Sequence, residues 1–186
     1  MSGERDISDK AAGPDRATGL VLVLGGARSG KSRYAESLIP GEALYIATAT
    51  ASDEEMRARI AAHRARRGAR WEVVEEPLEL AECLARHARP GRPVLVDCLT
   101  LWLSNTMLAE RSPETGRALL LAALRAAPAP VVLVSNEVGL GIVPATPLGR
   151  AFRDEAGRMN QEIAGMADRV VFMAAGLPLV LKGAAD

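Results

Sequence analysis

The 186-residue sequence predicts an α/β fold with a mostly parallel central sheet and helices on both faces. Three observations carry that expectation. Short runs of apolar, β-branched residues alternate with longer stretches of helical periodicity. The runs are apolar throughout rather than at every second residue, as strands covered on both faces must be. Between the first run and the first helical stretch lies a glycine-rich turn, Gly25-Gly-Ala-Arg-Ser-Gly-Lys-Ser32.

The elements come in this order. Leu20–Leu24 reads as a buried strand, and a helix succeeds the glycine turn from about Lys31 to Ile39. Ala43–Ala47 is the next strand. Ser52-Asp-Glu-Glu55 has the form of a capping box and opens a helix to about Arg67. A short extended segment near Val73 and Val74 precedes a helix over about Leu78–Arg86. Pro93–Asp97 is a core strand ending in an acid, followed by helices over about Leu99–Leu108 and Glu114–Ala126. Val131–Val134 is a further core strand. A Gly/Pro loop, Gly139–Pro147, leads into a long helix to about Met166. Arg169–Met173 and Leu177–Leu181 read as strands around Gly176, the second of them in antiparallel edge pairing.

The length suits one domain, expected over residues 19–186, behind a polar, mixed-charge extension at 1–18 that reads as disordered. At 48% hydrophobic the body can bury a core without staples. Twenty-three basic and 23 acidic side chains balance, which argues against a general nucleic-acid or polyanion binder. Aromatics make up 3%, too few for a platform that stacks single-stranded bases. The terminal apolar run is broken by Gly176 and Pro178 and is too short to span a bilayer, and the N-terminus lacks a signal-peptide core. Cys83 and Cys98 have no metal-ligand or disulfide-scaffold spacing and read as buried thiols of a cytoplasmic protein.

Gly25–Ser32 fits G-x-x-x-x-G-K-[ST] in the strand-to-helix context that the pattern needs, which makes this a P-loop NTPase domain. Gly25, Gly26, Ala27, Arg28, Ser29 and Gly30 turn backbone N–H groups toward phosphate oxygens, and the helix N-terminus adds partial positive charge. Lys31 can reach the β- and γ-phosphates, and Ser32 can ligate Mg²⁺. The chain has only three lysines, Lys10, Lys31 and Lys182, so a lysine in this loop is not compositional background. Asp97, at a strand end, stands where a Mg²⁺ acid belongs in such folds, or else caps the next helix.

Arg57, Arg59, Arg64, Arg66, Arg67 and Arg70 surround His63 with no acid between Met56 and Trp71. Guanidinium groups fork onto phosphates, and neighbouring cations lower an imidazole pKa and keep it neutral. A neutral histidine among phosphate-binding arginines suits nucleophilic attack on an α-phosphate, giving a nucleotidyl-histidine and pyrophosphate. The same spacing also describes a solvated basic face. His87 reads as a residue that complements a helix C-terminus. Glu75 and Glu76 can accept hydrogen bonds from a ribose or a guanine edge, or pair with the arginines.

Taken together the segments resemble the bifunctional adenosylcobinamide kinase / adenosylcobinamide-phosphate guanylyltransferase family of cobalamin biosynthesis. The resemblance runs from about Leu20 to Lys182. It rests on Gly25–Ser32, Tyr45-Ile-Ala-Thr48, Asp53–Ile60 leading to His63-Arg64, Val96–Asn105 and Ser135–Pro144. Phe152-Arg-Asp154, Asn160-Gln161 and Ala167-Asp168 complete it. Ala62, Gly68 and Val73 depart from residues frequent in the family. The resemblance implies a RecA-like fold and a homo-oligomer. It implies that ATP or GTP phosphorylates the hydroxyl of adenosylcobinamide, and that GTP then passes GMP through His63 to give adenosylcobinamide-GDP. It implies nucleotide contacts at Ala47, Thr48 and Ala49, at Arg64, Ala65, Arg66 and Arg67, and at Glu75 and Asp97. Asn136 and Glu137 are expected to help build the corrinoid-facing or subunit-facing surface. A plain P-loop kinase in which His63 is structural, and a nucleotide sensor without turnover, are the competing readings.

Overall fold

The computed structural model describes residues 19–50, 54, 57 and 68–183. The extension at 1–18, most of the segment expected to form the basic helix, and with them His63 and Arg64–Arg67 lie outside the described residues.

Seven strands form one sheet: β1 (Leu20–Gly25), β2 (Ala43–Ala47), β3 (Trp71–Glu75), β4 (Val94–Asp97), β5 (Val131–Asn136), β6 (Arg169–Ala174) and β7 (Leu177–Lys182). Their order is β3-β2-β4-β5-β1-β6-β7, parallel except for the antiparallel β6–β7 hairpin. Five helices are described: α1 (Lys31–Ser37), α2 (Leu80–His87), α3 (Leu99–Leu108), α4 (Pro113–Ala126) and α5 (Pro147–Met166).

The central strands β1, β2, β4 and β5 read as apolar throughout because both of their faces are buried, whereas β3 and β7 at the sheet edges are largely exposed. Leu20, Leu22, Leu24, Ile46, Val96 and Leu133 pack with Leu80, Trp102, Leu120 and Met159 from α2–α5 on one side. Val21, Val23, Tyr45, Leu95, Val132 and Val134 pack on the other side with Ala35 of α1 and with Leu38 and Ile39 just beyond it. Local chemistry starts the helices where expected. Ser112 and Thr146 accept from the N–H groups of Thr115 and Gly149, each with a proline at the first helical turn.

This order fixes the place of the site. From β1 the chain runs through α1, on one face, toward β2. From β5 it runs through α5, on the opposite face, to β6. Adjacent strands whose connections leave in opposite directions open a crevice at their carboxyl ends, where α/β proteins bind ligands. Here that crevice lies between β1 and β5, which pair Gly25 with Asn136. The antiparallel expectation for Leu177–Leu181 is met by β7, an edge strand with Leu177, Leu179 and Leu181 exposed. No described helix is long and apolar enough to cross a membrane.

Candidate active site

Residues 25–30 form the loop at the end of β1. Gly25, Arg28 and Gly30 have φ of 148°, 55° and 95°, so the backbone enters left-handed space three times within six residues. Glycine is needed at the first of these on steric grounds as well. A Cβ on Gly25 would lie 2.5 Å from the Met173 carbonyl oxygen and 2.8 Å from Ser29 Oγ. Lys31 is 7% exposed, and its Nζ donates to the Gly26 carbonyl at 2.5 Å, so the ammonium lies across the loop rather than in bulk solvent. Ser29 Oγ is buried without a hydrogen-bond partner. The β6–β7 turn supports the loop from outside, with the Gly176 N–H donating to the Ser29 carbonyl at 3.1 Å.

Asp97 ends β4, one strand beyond β5, and pairs with Val134 and Ala47. Helix α3 starts after Cys98, whose own side chain makes no capping hydrogen bond. The Tyr45 hydroxyl donates to Asp97 Oδ2 at 2.7 Å and orients it. Tyr45 is itself held edge-on against Trp71, with ring centroids 5.5 Å apart. Among the arginines counted around His63, Arg70 has structural partners. Its guanidinium lies 4.5 Å over the Trp71 ring and donates to the Ile39 and Glu36 carbonyls.

Ala47, Thr48 and Ala49 lie at the carboxyl end of β2, beside Asp97. Thr48 is buried; its Oγ1 donates to the Cys98 carbonyl at 2.7 Å and accepts the Cys98 N–H at 2.9 Å. Its N–H donates to the Asp97 carbonyl, and its own carbonyl accepts from Asn105 Nδ2. Thr48 thus anchors the ends of β2 and β4 to each other. Asn105 also donates to the Pro77 carbonyl, a tie that no spacing in the sequence announces. Glu75 is exposed at the end of β3. Glu76 is used locally, its Oε1 accepting the N–H groups of Leu78 and Glu79 ahead of α2.

On the β5 side, Thr100 Oγ1 accepts both the backbone N–H and Nδ2 of Asn136, at 2.9 and 3.0 Å. Ser135 Oγ donates to Asn160 Oδ1 at 2.7 Å. Glu137 N–H donates to the Gly25 carbonyl at 3.0 Å, tying this strand end to the root of the glycine loop. Burial, with the neighbouring Asp97 charge adding to it, pushes the Cys98 thiol up to about 11, so this sulfur is not a nucleophile at neutral pH.

The fold and this loop define a P-loop NTPase domain. The solved structures agree on the fold. A Pyrococcus horikoshii protein overlays with TM-score 0.54 at 9% identity, covering 93% of this chain and 90% of its own. The P4 protein of bacteriophage phi6, solved with ADP, overlays with TM-score 0.50 at 14% identity, over 86% of this chain and 52% of its own. The family is narrower than the fold. The model of the cobinamide kinase / cobinamide phosphate guanyltransferase family matches residues 21–181, and this chain belongs to that family. It is 53% identical to the bifunctional adenosylcobalamin biosynthesis protein CobP of Pseudomonas aeruginosa, over 87% of this chain and 96% of that one. It is 41% identical to the bifunctional adenosylcobalamin biosynthesis protein CobU of Escherichia coli, over 88% of this chain and 99% of that one.

Proposed function

We propose that one phosphate site serves both reactions, and that GMP is carried covalently on His63. In the first reaction ATP or GTP lies in the Gly25–Ser32 loop and its γ-phosphoryl group passes to the hydroxyl of adenosylcobinamide. In the second, His63 attacks the α-phosphorus of GTP and pyrophosphate leaves. The phosphate of adenosylcobinamide phosphate then displaces His63 to give adenosylcobinamide-GDP.

The observation that carries this reading is the loop itself. Its backbone bends through left-handed space at Gly25, Arg28 and Gly30, and Lys31 Nζ is held across it. That arrangement can ring a phosphate with N–H groups and offer it a cation. Arg64, Arg66 and Arg67 are the guanidinium groups that would fork onto the triphosphate and keep His63 neutral. Ala47, Thr48, Ala49, Arg64–Arg67, Glu75 and Asp97 form the remaining nucleotide contacts in this reading. Given how its polar groups are engaged, Thr48 would act there by shaping the strand end.

The Ser32 hydroxyl and the Asp97 carboxylate are hard oxygen donors that fit Mg²⁺, which takes one or two protein oxygens plus substrate phosphates. When bound, the ion would neutralise phosphate charge. The chain's own part is to orient Asp97 through Tyr45 and to start α1 directly after the loop. The exposed leucines of the β7 edge support association of identical subunits, and two buried thiols suit the cytoplasm.

The test is incubation with GTP labelled at the α-phosphate. His63 should take up an acid-labile, base-stable label that His63→Ala does not acquire. Equal labelling of the two proteins, or none in either, defeats the covalent mechanism.

A further inference from the structure

The phosphoryl-transfer step needs a group to take the proton from the attacking hydroxyl, and most acids near the loop are engaged elsewhere. Asp97 holds the Tyr45 hydroxyl and is the acid suited to the metal. Glu76 is bonded to the N–H groups before α2. Lys31 is a cation. Among the described residues, Glu137 is a further carboxylate, at the root of the crevice between β1 and β5.

We infer that Glu137 is the general base of the kinase step, an inference that rests on the Gly25–Ser32 loop being the kinase phosphate site. Three observations support it. Glu137 comes directly after β5, in the crevice where the connections of β1 and β5 diverge, and its N–H is bonded to the Gly25 carbonyl at 3.0 Å. Its side chain is ordered locally, with Oε1 accepting the Gly139 N–H at 2.6 Å. A Cβ at position 139 would lie 2.9 Å from that same oxygen, so the glycine permits the arrangement. The strand end carrying it is fixed by the paired Asn136–Thr100 hydrogen bonds and by Ser135–Asn160.

The loop beyond Glu137 fits a large, partly apolar acceptor. Leu140 is 81% exposed, Ile142 98% and Val143 61%, on a loop rooted at the phosphate site. A substrate whose hydroxyl reaches the γ-phosphate would lay its bulkier portion over these side chains. The hydroxyl oxygen bonds to the γ-phosphorus, the bond from that phosphorus to the β–γ bridging oxygen breaks, and the nucleoside diphosphate leaves. The hydroxyl proton passes to the Glu137 carboxylate. The guanylyl-transfer nucleophiles, a neutral imidazole and a phosphate dianion, bring no such proton, so Glu137 bears on one reaction of the two.

The experiment compares wild type and Glu137→Gln, whose side-chain carbonyl can still accept the Gly139 N–H. Three quantities are read: kinase kcat with adenosylcobinamide across pH, Kd for the nucleotide, and labelling of the protein by α-labelled GTP. The expected result is a kinase kcat lowered about a hundredfold or more across the pH range tested. Nucleotide Kd and GMP labelling stay at wild-type levels. Glu137→Asp should recover part of the kinase rate. A kcat reduction of less than about tenfold overturns the inference. So does a loss of kcat accompanied by a matching loss of nucleotide affinity, which would make Glu137 a support for the loop. Because nucleotide Kd and kinase rate do not require transfer of GMP to His63, failure of the covalent mechanism shows separately as absent label in wild type. Failure of the shared phosphate site shows as kinase activity that survives Lys31→Ala.

Discussion

Replacing Gly25 with alanine probes the phosphate loop where its geometry is tightest. The backbone there has φ +148°, which L-residues rarely adopt. Holding one there costs about 1–3 kcal/mol. The new Cβ would also lie 2.5 Å from the Met173 carbonyl oxygen, part of a buried strand that cannot rotate away. Overpacking of that kind adds about 1–3 kcal/mol. A loss of roughly 4 kcal/mol in a domain of this size lowers Tm by about 8–16 °C. Gly26→Ala is the matched control, because a Cβ there meets nothing within 4 Å. Its stability should stay within about 0.5 kcal/mol of wild type. Thermal unfolding followed by circular dichroism, with and without nucleotide, reads both effects. Gly25→Ala should melt early and lose the nucleotide-dependent rise in Tm. If it melts within about 2 °C of wild type and keeps that rise, the steric account of the loop is wrong.

Lys31→Ala should melt close to wild type yet lose kinase activity and guanylylation together, because in the proposed reading both reactions use its charge on the triphosphate; steady-state assays of the two reactions check it. Thr100→Val removes the acceptor for two Asn136 donors, and each stranded donor costs about 1–3 kcal/mol. Its urea midpoint should fall with the m-value unchanged. Cys98 has its thiol raised from 9.0 to about 11 in the folded chain, so the unfolded chain loses that proton first as pH rises. The thiol's contribution is therefore complete below about pH 9 and is lost between about 9 and 11. Urea titrations at pH 8, 9.5 and 10.5 should show a steeper decline in wild type than in Cys98→Ala.

The strands were legible because burial on both faces leaves a continuous apolar run, as in Leu20–Leu24 and Val131–Val134. The glycine loop was legible because its chemistry is confined to eight consecutive residues. Relations between distant segments were not. Nothing in the spacing of Tyr45 and Asp97, 52 residues apart, announces the bond that orients the carboxylate. Thr48 with Cys98, Asn105 with Pro77 and Thr100 with Asn136 are of the same kind: polar residues in ordinary sequence contexts that topology brings together. Arg70 shows the converse. Position in the chain groups it with the arginines around His63, while its guanidinium stacks on Trp71 and binds the carbonyls at the end of α1. Glu137 sits in a stretch whose glycine content marks a loop, but the strand order shows which loop it is and that its root is bonded to Gly25.

In the function proposed above, one nucleotide site on this chain both feeds a kinase reaction and loads GMP onto His63. Mass spectrometry of the intact protein after exposure to GTP and Mg²⁺, followed by peptide mapping, tests it most directly. The expected result is a GMP adduct on the peptide containing His63, absent in both His63→Ala and Lys31→Ala and discharged when adenosylcobinamide phosphate is added. An unmodified wild-type protein that still forms adenosylcobinamide-GDP, or an adduct that persists in His63→Ala, would contradict it.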